Sequence, residues 1–269
     1  MIVVMTREEA DNLIAMQDTT LIDNNDVVKQ ALDSRRKHIS VGLVGNPNSG
    51  KTSLFNTLCG RSEHVGNYSG VTVDAKRGTL HYKGYTIEVT DLPGTYALSA
   101  YSPEEKYVRR HIIENTPDII INTVVASNLE RNLYLTTELI DINPKMVIAL
   151  NMYDELEASG AKFDHEALAR MIGVPIVPVV APLRRGIDEL LDTIIAIHEG
   201  RHELERHVHI GLGQLIEENL EELNADMRQH RDELPAHFPP RYFALKLIEG
   251  DSDVIAMLET LPHYARWSA

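Results

Sequence analysis

The stretch Gly45-Asn46-Pro47-Asn48-Ser49-Gly50-Lys51-Thr52 fits the spacing G-x-x-x-x-G-K-[ST] and is the part of the chain best suited to chemistry. Glycine at both ends allows a tight turn. Consecutive backbone N–H groups, and the first turn of a following helix, can then surround phosphate oxygens. Lys51 is placed to span the terminal phosphates of a nucleotide, and the Thr52 hydroxyl is a ligand type for Mg²⁺. Gly45, Asn46, Asn48, Ser49, Gly50 and Ser53 complete the expected cradle.

Three later stretches supply what such a cradle needs. Asp91-Leu92-Pro93-Gly94 offers a second magnesium-site carboxylate and a glycine able to sense a γ-phosphate. Asn151-Met152-Tyr153-Asp154 has the N-x-x-D arrangement, with Asn151 and Asp154 as the guanine-reading pair and Met152 beside the purine. A carboxylate there accepts from the N1 and N2 donors of guanine, and adenine would leave it unpaired. Between the first two motifs, the polar, glycine-flanked run 66–74 suits a switch loop whose Thr72 closes on Mg²⁺ and the γ-phosphate. DLPG alone is a common turn and N-x-x-D a common helix cap. Their order along one chain, each after an apolar run, is what joins them.

The elements that must position these residues are legible as short β-branched runs alternating with amphipathic segments. Strands are expected at 39–45, 75–84, 85–91, 118–125, 145–151 and 174–180, a pattern that makes a mostly parallel sheet with crossover helices. Ser102 with Glu105, and Ser127 with Glu130, have capping-box spacing and predict helices near 103–115 and 128–141. A further helix is expected at 187–198, and a short one around 7–16. Beyond it, Leu212, Leu215, Ile216, Leu220, Leu223 and Met227 recur at three- and four-residue steps, as in a helix with one apolar face. Another short helix is expected near 253–261. The expected organisation is an extension without assigned role at 1–37, an α/β nucleotide-binding domain at 38–200 and a small all-helical domain at 201–269.

Composition removes several function classes. Of 269 residues, 43% are hydrophobic and 25% charged, which excludes disordered and collagen-like chains. Lys and Arg number 26 against 40 Asp and Glu, and a formal charge of −14 argues against broad nucleic-acid binding. The lone cysteine, Cys59, has no intramolecular partner and suits a reducing compartment. No apolar run approaches the roughly 18 residues of a membrane helix, so the chain as given reads as soluble. His198-Glu199-Gly200-Arg201-His202 matches the zinc spacing H-E-x-x-H, but Gly200 interrupts the helix that this spacing requires.

The strings GNPNSGKTSLFN, VGNYSGVTVD, DLPGTYALSAYSPEE, ASNLERNLYLT and ALNMYD together resemble the cytoplasmic GTPase region of the FeoB family of bacterial ferrous-iron transporters. The likeness covers roughly 39–265, and RYFALKLIEGD is similar to the helical domain that follows the GTPase in that family. It implies a Ras-like P-loop GTPase with Mg²⁺, on the cytoplasmic face of the inner membrane. A membrane-embedded iron-transport domain of the same polypeptide would be its partner, and a homo-oligomer is compatible with that role. It also implies that Asn48 ligates K⁺. Val125 and Tyr68-Ser69 depart from the family pattern, and the guanine-contact loop at Ala181 differs from the Ser-Ala-Lys of Ras-like proteins. Thr95 follows Gly94 where Ras-like enzymes place a water-orienting Gln, so intrinsic turnover should be slow. The competing expectation is a soluble P-loop GTPase acting in RNA or ribosome maturation, against which the charge counts.

Overall fold

The computed structural model describes residues 37–60, 63–66, 75–98, 102–204, 208, 211–235 and 238–268. The expected helix at 7–16 and the expected ligand Thr72 lie outside the described residues. Strands β1 (His38–Gly45), β2 (Glu63–Gly66), β3 (Ala75–Tyr82), β4 (Tyr85–Asp91), β5 (Ile119–Val125), β6 (Met146–Asn151) and β7 (Ile176–Pro178) form one sheet in the order β2-β3-β4-β1-β5-β6-β7. From β4 to β7 neighbours run parallel, while β2–β3 and β3–β4 pair antiparallel.

Alternation along the strands sorts the core onto two faces. Ile119 and Ile121 join Ile39, Val41, Leu43, Val147 and Ala149 on one side. Helices α1 (Lys51–Cys59) and α6 (Ile187–His198) cover that side with Leu54, Phe55, Leu190 and Ile194. Ile120, Ile148 and Leu150 face the other side, where α3 (Leu129–Ile142) contributes Leu135 and Leu139 and α5 (His165–Ile172) contributes Ala169. Leu220 and Met227 of α7 (Gln214–Gln229) and Tyr242 and Phe243 of α8 (Pro240–Ile248) belong to this same second core. The helical region is therefore packed onto the sheet domain through continuous apolar burial.

Several local outcomes differ from the sequence expectation. β2 was not expected and adds an antiparallel edge. The run 174–180 keeps only Ile176–Pro178 as strand, because Pro175 and Pro178 have no N–H for a ladder. The helix from 103 is α2 (Pro103–Arg110); it widens into a π turn at His111–Asn115 and stops at Thr116, whose φ is 39° just before Pro117. Ser102 and Glu105 do form the expected capping box, but α3 is capped at Asn128, and the Ser127 hydroxyl instead donates to Glu155 Oε2 at 3.1 Å.

A buried ion pair crosses between the regions, and the half-buried Asp141 lies in the field of cations from the helical region. Arg109 Nη1 donates to Asp251 Oδ2 at 2.6 Å and Nη2 to Oδ1 at 3.1 Å, with both side chains about one-twentieth exposed. Burial alone would push the Asp251 carboxyl up, but Arg109 and the Val254 N–H outweigh it and hold it below the usual range. Asp141 of α3 has no such rescue: burial pushes it up to about 6, with Lys246 and Arg241 pulling only partway back.

A raised folded value means the folded chain binds a proton that the unfolded chain, titrating near ~3.9, does not. The ionised Asp141 therefore opposes folding above pH 6, and stability is regained as pH falls from about 6 toward 4. Asp141→Asn is expected to raise Tm by about 2–4 °C at pH 7.5, with the gain shrinking to nothing near pH 4, as read by calorimetry. A gain that is the same at both pH values would contradict this origin.

Candidate nucleotide site

The expected phosphate turn lies at the carboxyl end of β1 and runs directly into α1, the place where open α/β sheets bind ligands. Gly50 caps α1 at φ 82°, a left-handed conformation that costs glycine little. A β-carbon on it would stand 2.3 Å from Asn151 Nδ2, so the close approach of β6 also demands glycine. Asn48 takes the left-handed region too, at φ 64°, and its side chain is exposed. Ser49 is fully buried, Asn46 is nearly so, and Asn46 Nδ2 donates to the Arg131 carbonyl at 3.2 Å, tying the turn to α3.

Lys51 is 7% exposed and its Nζ reaches back across the turn to the Asn46 carbonyl at 3.3 Å. Burial lowers its pKa, and the nearby Asp91 carboxylate partly restores it. A phosphate entering the turn would supply the negative partner that this buried ammonium lacks in full. The Thr52 hydroxyl donates to Asp91 Oδ2 at 3.2 Å, so the two expected magnesium ligands, from α1 and β4, do meet. Hydroxyl and carboxylate oxygens are the donor set of a hard cation, and these residues fit Mg²⁺.

Gly94 packs onto the turn so closely that a β-carbon would sit 3.0 Å from Pro47 Cα and 3.1 Å from Lys51 Nζ. The next residue is pinned as well. The Thr95 N–H donates to the Gly45 carbonyl at 3.2 Å and its hydroxyl to the Ala97 carbonyl at 2.6 Å. Thr95 is 3% exposed and turned inward, so its hydroxyl is spent on backbone.

On the far side, Asn151 Nδ2 donates to the Ser49 carbonyl at 3.0 Å, and its Oδ1 accepts from the Ala181 N–H at 3.4 Å. Asp154 stands exposed in the first turn of α4 (Tyr153–Ala158), and Met152 adopts φ 55° just before it. Ala181, fully buried, opens the short 3-10 turn Ala181–Leu183. Ser53 follows Thr52 on α1, half-buried. All expected site residues apart from Thr72 thus gather at one sheet edge. His198 ends α6 and Gly200 has φ 66°, so His198 and His202 do not share a helix.

The sequence reading missed Glu138, which accepts from the Leu98 N–H. A signal was present, because Glu138 stands one place before Leu139 in the buried stripe Leu135–Leu139–Ile142. A carboxylate in such a position must be paired.

A mostly parallel sheet whose first strand runs into this turn, with a carboxylate at the end of β4 and an N-x-x-D corner at the end of β6, defines a Ras-like P-loop domain. Residues 39–194 match the family model described as Ferrous iron transport protein B, and residues 213–266 match the FeoB cytosolic helical domain. The chain belongs to the ferrous iron transport protein B family. It is 51% identical over 217 residues to the Fe(2+) transport protein A/Fe(2+) transporter FeoB fusion protein of Porphyromonas gingivalis, covering 80% of this chain and 26% of that protein. Against the Fe(2+) transporter FeoB of Salmonella typhimurium it is 40% identical over 219 residues, 80% of this chain and 27% of that protein. It thus spans about a quarter of the length of these curated relatives.

Among solved structures, the cytosolic domain of the T. maritima FeoB iron transporter in apo form is 33% identical, with a TM-score of 0.76 and coverage of 86% of this chain and 87% of that one. The same domain in GMPPNP form gives a TM-score of 0.73 at 33% identity, covering 86% of each chain. A mutant S. thermophilus NFeoB bound to mGDP gives 0.77 at 35% identity, again over 86% of each chain. Among the described residues no helix is long and apolar enough to cross a membrane.

Removing the Asn151 amide would leave the buried Ser49 carbonyl and Ala181 N–H without it. Asn151→Ala is expected to cost about 2 kcal/mol in urea unfolding and to weaken GDP binding at least tenfold by fluorescence titration. Unchanged affinity would show that the turn holds its shape without this clamp.

Proposed function

We propose that the chain binds GTP, hydrolyses it slowly to GDP and phosphate, and thereby regulates ferrous-iron transport by a membrane-embedded part of the same polypeptide, at the cytoplasmic face of the inner membrane. The observation that carries the reading is the convergence of Lys51, Gly94 and the Thr52–Asp91 pair on the phosphate turn. Solved relatives bearing GDP, mGDP or GMPPNP in their names, and relatives about four times as long named as Fe(2+) transporters, support it. The reading as an RNA or ribosome GTPase loses support from the family and from the net charge of −14.

In this reading the turn's N–H groups and Lys51 stabilise negative charge on the phosphates, a preorganised arrangement of donors. Thr52, Asp91 and Thr72 would hold Mg²⁺, which when bound neutralises phosphate charge. Asn151, with both polar atoms committed to Ser49 and Ala181, shapes the base pocket, and Asp154, exposed at its rim, reads the guanine edge. Ala181 closes that pocket from the side. Asn48, exposed in the turn, would ligate K⁺. No inward-turned Thr95 can orient water as a Gln amide would, which accounts for slow turnover.

Single-turnover hydrolysis of GTP by the purified chain in Mg²⁺, with ATP as competitor, tests the core of this. GTP should be cleaved and ATP should not compete; absence of cleavage would leave a nucleotide-toggled binding module. Asp154→Asn should lower GTP affinity by about 10²–10⁴-fold and favour xanthosine triphosphate. Replacing K⁺ by Na⁺ should slow the wild type, and Asn48→Ala should erase the difference while GDP still binds. Turnover indifferent to K⁺ would remove the cation role.

A further inference from the structure

We infer that Glu138 is a positioning residue for the nucleotide site: its carboxylate holds the loop after Gly94 in place and ties that loop to Lys246 of the helical region. The inference rests on the nucleotide reading above and names the residues through which the helical region acts on it.

The two carboxylate oxygens do different work. Oε2 accepts from the Leu98 N–H at 2.5 Å, and Oε1 lies 3.6 Å from Lys246 Nζ. Lys246 projects from α8 and also pairs with Glu249 at 2.7 Å, while remaining 5% exposed. Glu138 itself is 9% exposed, on the face of α3 turned to the sheet domain and the helical region at once. Burial pushes its carboxyl up, and the Leu98 N–H and Lys246 draw it back.

From Leu98 the hold continues to the phosphate turn without a break. Leu98 is buried, Ala97 accepts from the Thr95 hydroxyl, the Thr95 N–H bonds Gly45, and Gly94 lies against Pro47 and Lys51. A loop held at both ends in this way is already near the place where a γ-phosphate would sit. Its ordering cost is met by the fold before ligand arrives. In the proposed reading Gly94 faces the γ-phosphate, which a diphosphate lacks, so loosening the Leu98 end should tell mainly on the triphosphate. A charged acceptor makes the stronger bond to a buried N–H, and only a charge attracts Lys246. A neutral acceptor would hold the loop less firmly and leave the helical region unconnected to it.

The test uses the full chain with fluorescent GDP and GMPPNP in Mg²⁺. Glu138→Gln is isosteric, keeps an acceptor for Leu98 and drops the charge; Lys246→Met removes the partner. Each is expected to weaken GMPPNP about fivefold while GDP affinity stays within about twofold. The double variant should equal either single one, because both break the same link. Exchange of the Leu98 amide should quicken in Glu138→Gln and become fast in Glu138→Leu. Should Lys246→Met fail to fold, the Glu138→Gln ratio and the Leu98 exchange still decide. An unchanged GDP-to-GMPPNP ratio with both nucleotides bound, or shifts that add in the double variant, would overturn the inference and leave Glu138 a structural anchor. A wild type that binds neither nucleotide would overturn the functional reading itself.

Discussion

The side-chain amide of Asn151 is the interaction on which the site depends. It touches both the phosphate turn, at the Ser49 carbonyl, and the loop that opens at Ala181. Each contact is to backbone, so the amide fixes chain path rather than neighbouring side chains. It also dictates the residue across from it, since nothing larger than hydrogen fits on Gly50. Three strand ends, those of β1, β6 and β7, are thereby locked in register at the edge where a ligand would enter.

What holds that edge is the sheet behind it. β1 is flanked by β4 and β5 in parallel, so the turn, Asp91 and the start of α3 all emerge at one edge. Burial on both faces makes the central strands almost wholly apolar, and a packed interior of this kind transmits small displacements. The helical region shares one of the two faces, through Tyr242, Phe243, Leu220 and Met227. Contact through a common core leaves little room for the two regions to move as separate bodies.

Legibility in the sequence followed locality. The phosphate turn, the Asp91 corner and the Asn151 corner were readable because each is a short run with its chemistry in consecutive residues. β4 was expected at 85–91 and is found at Tyr85–Asp91, since alternation and a strong turn bound it on both sides. The capping box at Ser102 was readable for the same reason, and Ser127 misled because its hydroxyl finds Glu155, far along the chain, in place of its own helix. Glu138, Arg109 and Asp251 went unseen as partners. Their pairing joins residues more than a hundred positions apart, or a side chain to a loop amide, and no local pattern encodes such distances. β2 escaped because four residues are too few for alternation to show.

Asp251 does two things with one carboxylate. Its Oδ1 accepts from the N–H groups of Asp253 and Val254, capping the helix Ser252–Leu258, while both oxygens receive Arg109 from the sheet domain. The start of that helix is therefore stable only where the arginine is present, since a buried cap stripped of its counter-charge would have to protonate or come to solvent. The consequence concerns folding: the carboxyl-terminal helices are not an autonomous module but part of the cooperative unit that includes the sheet. A helical segment exchanged into this chain would keep its cap paired only if its aspartate met the arginine at position 109.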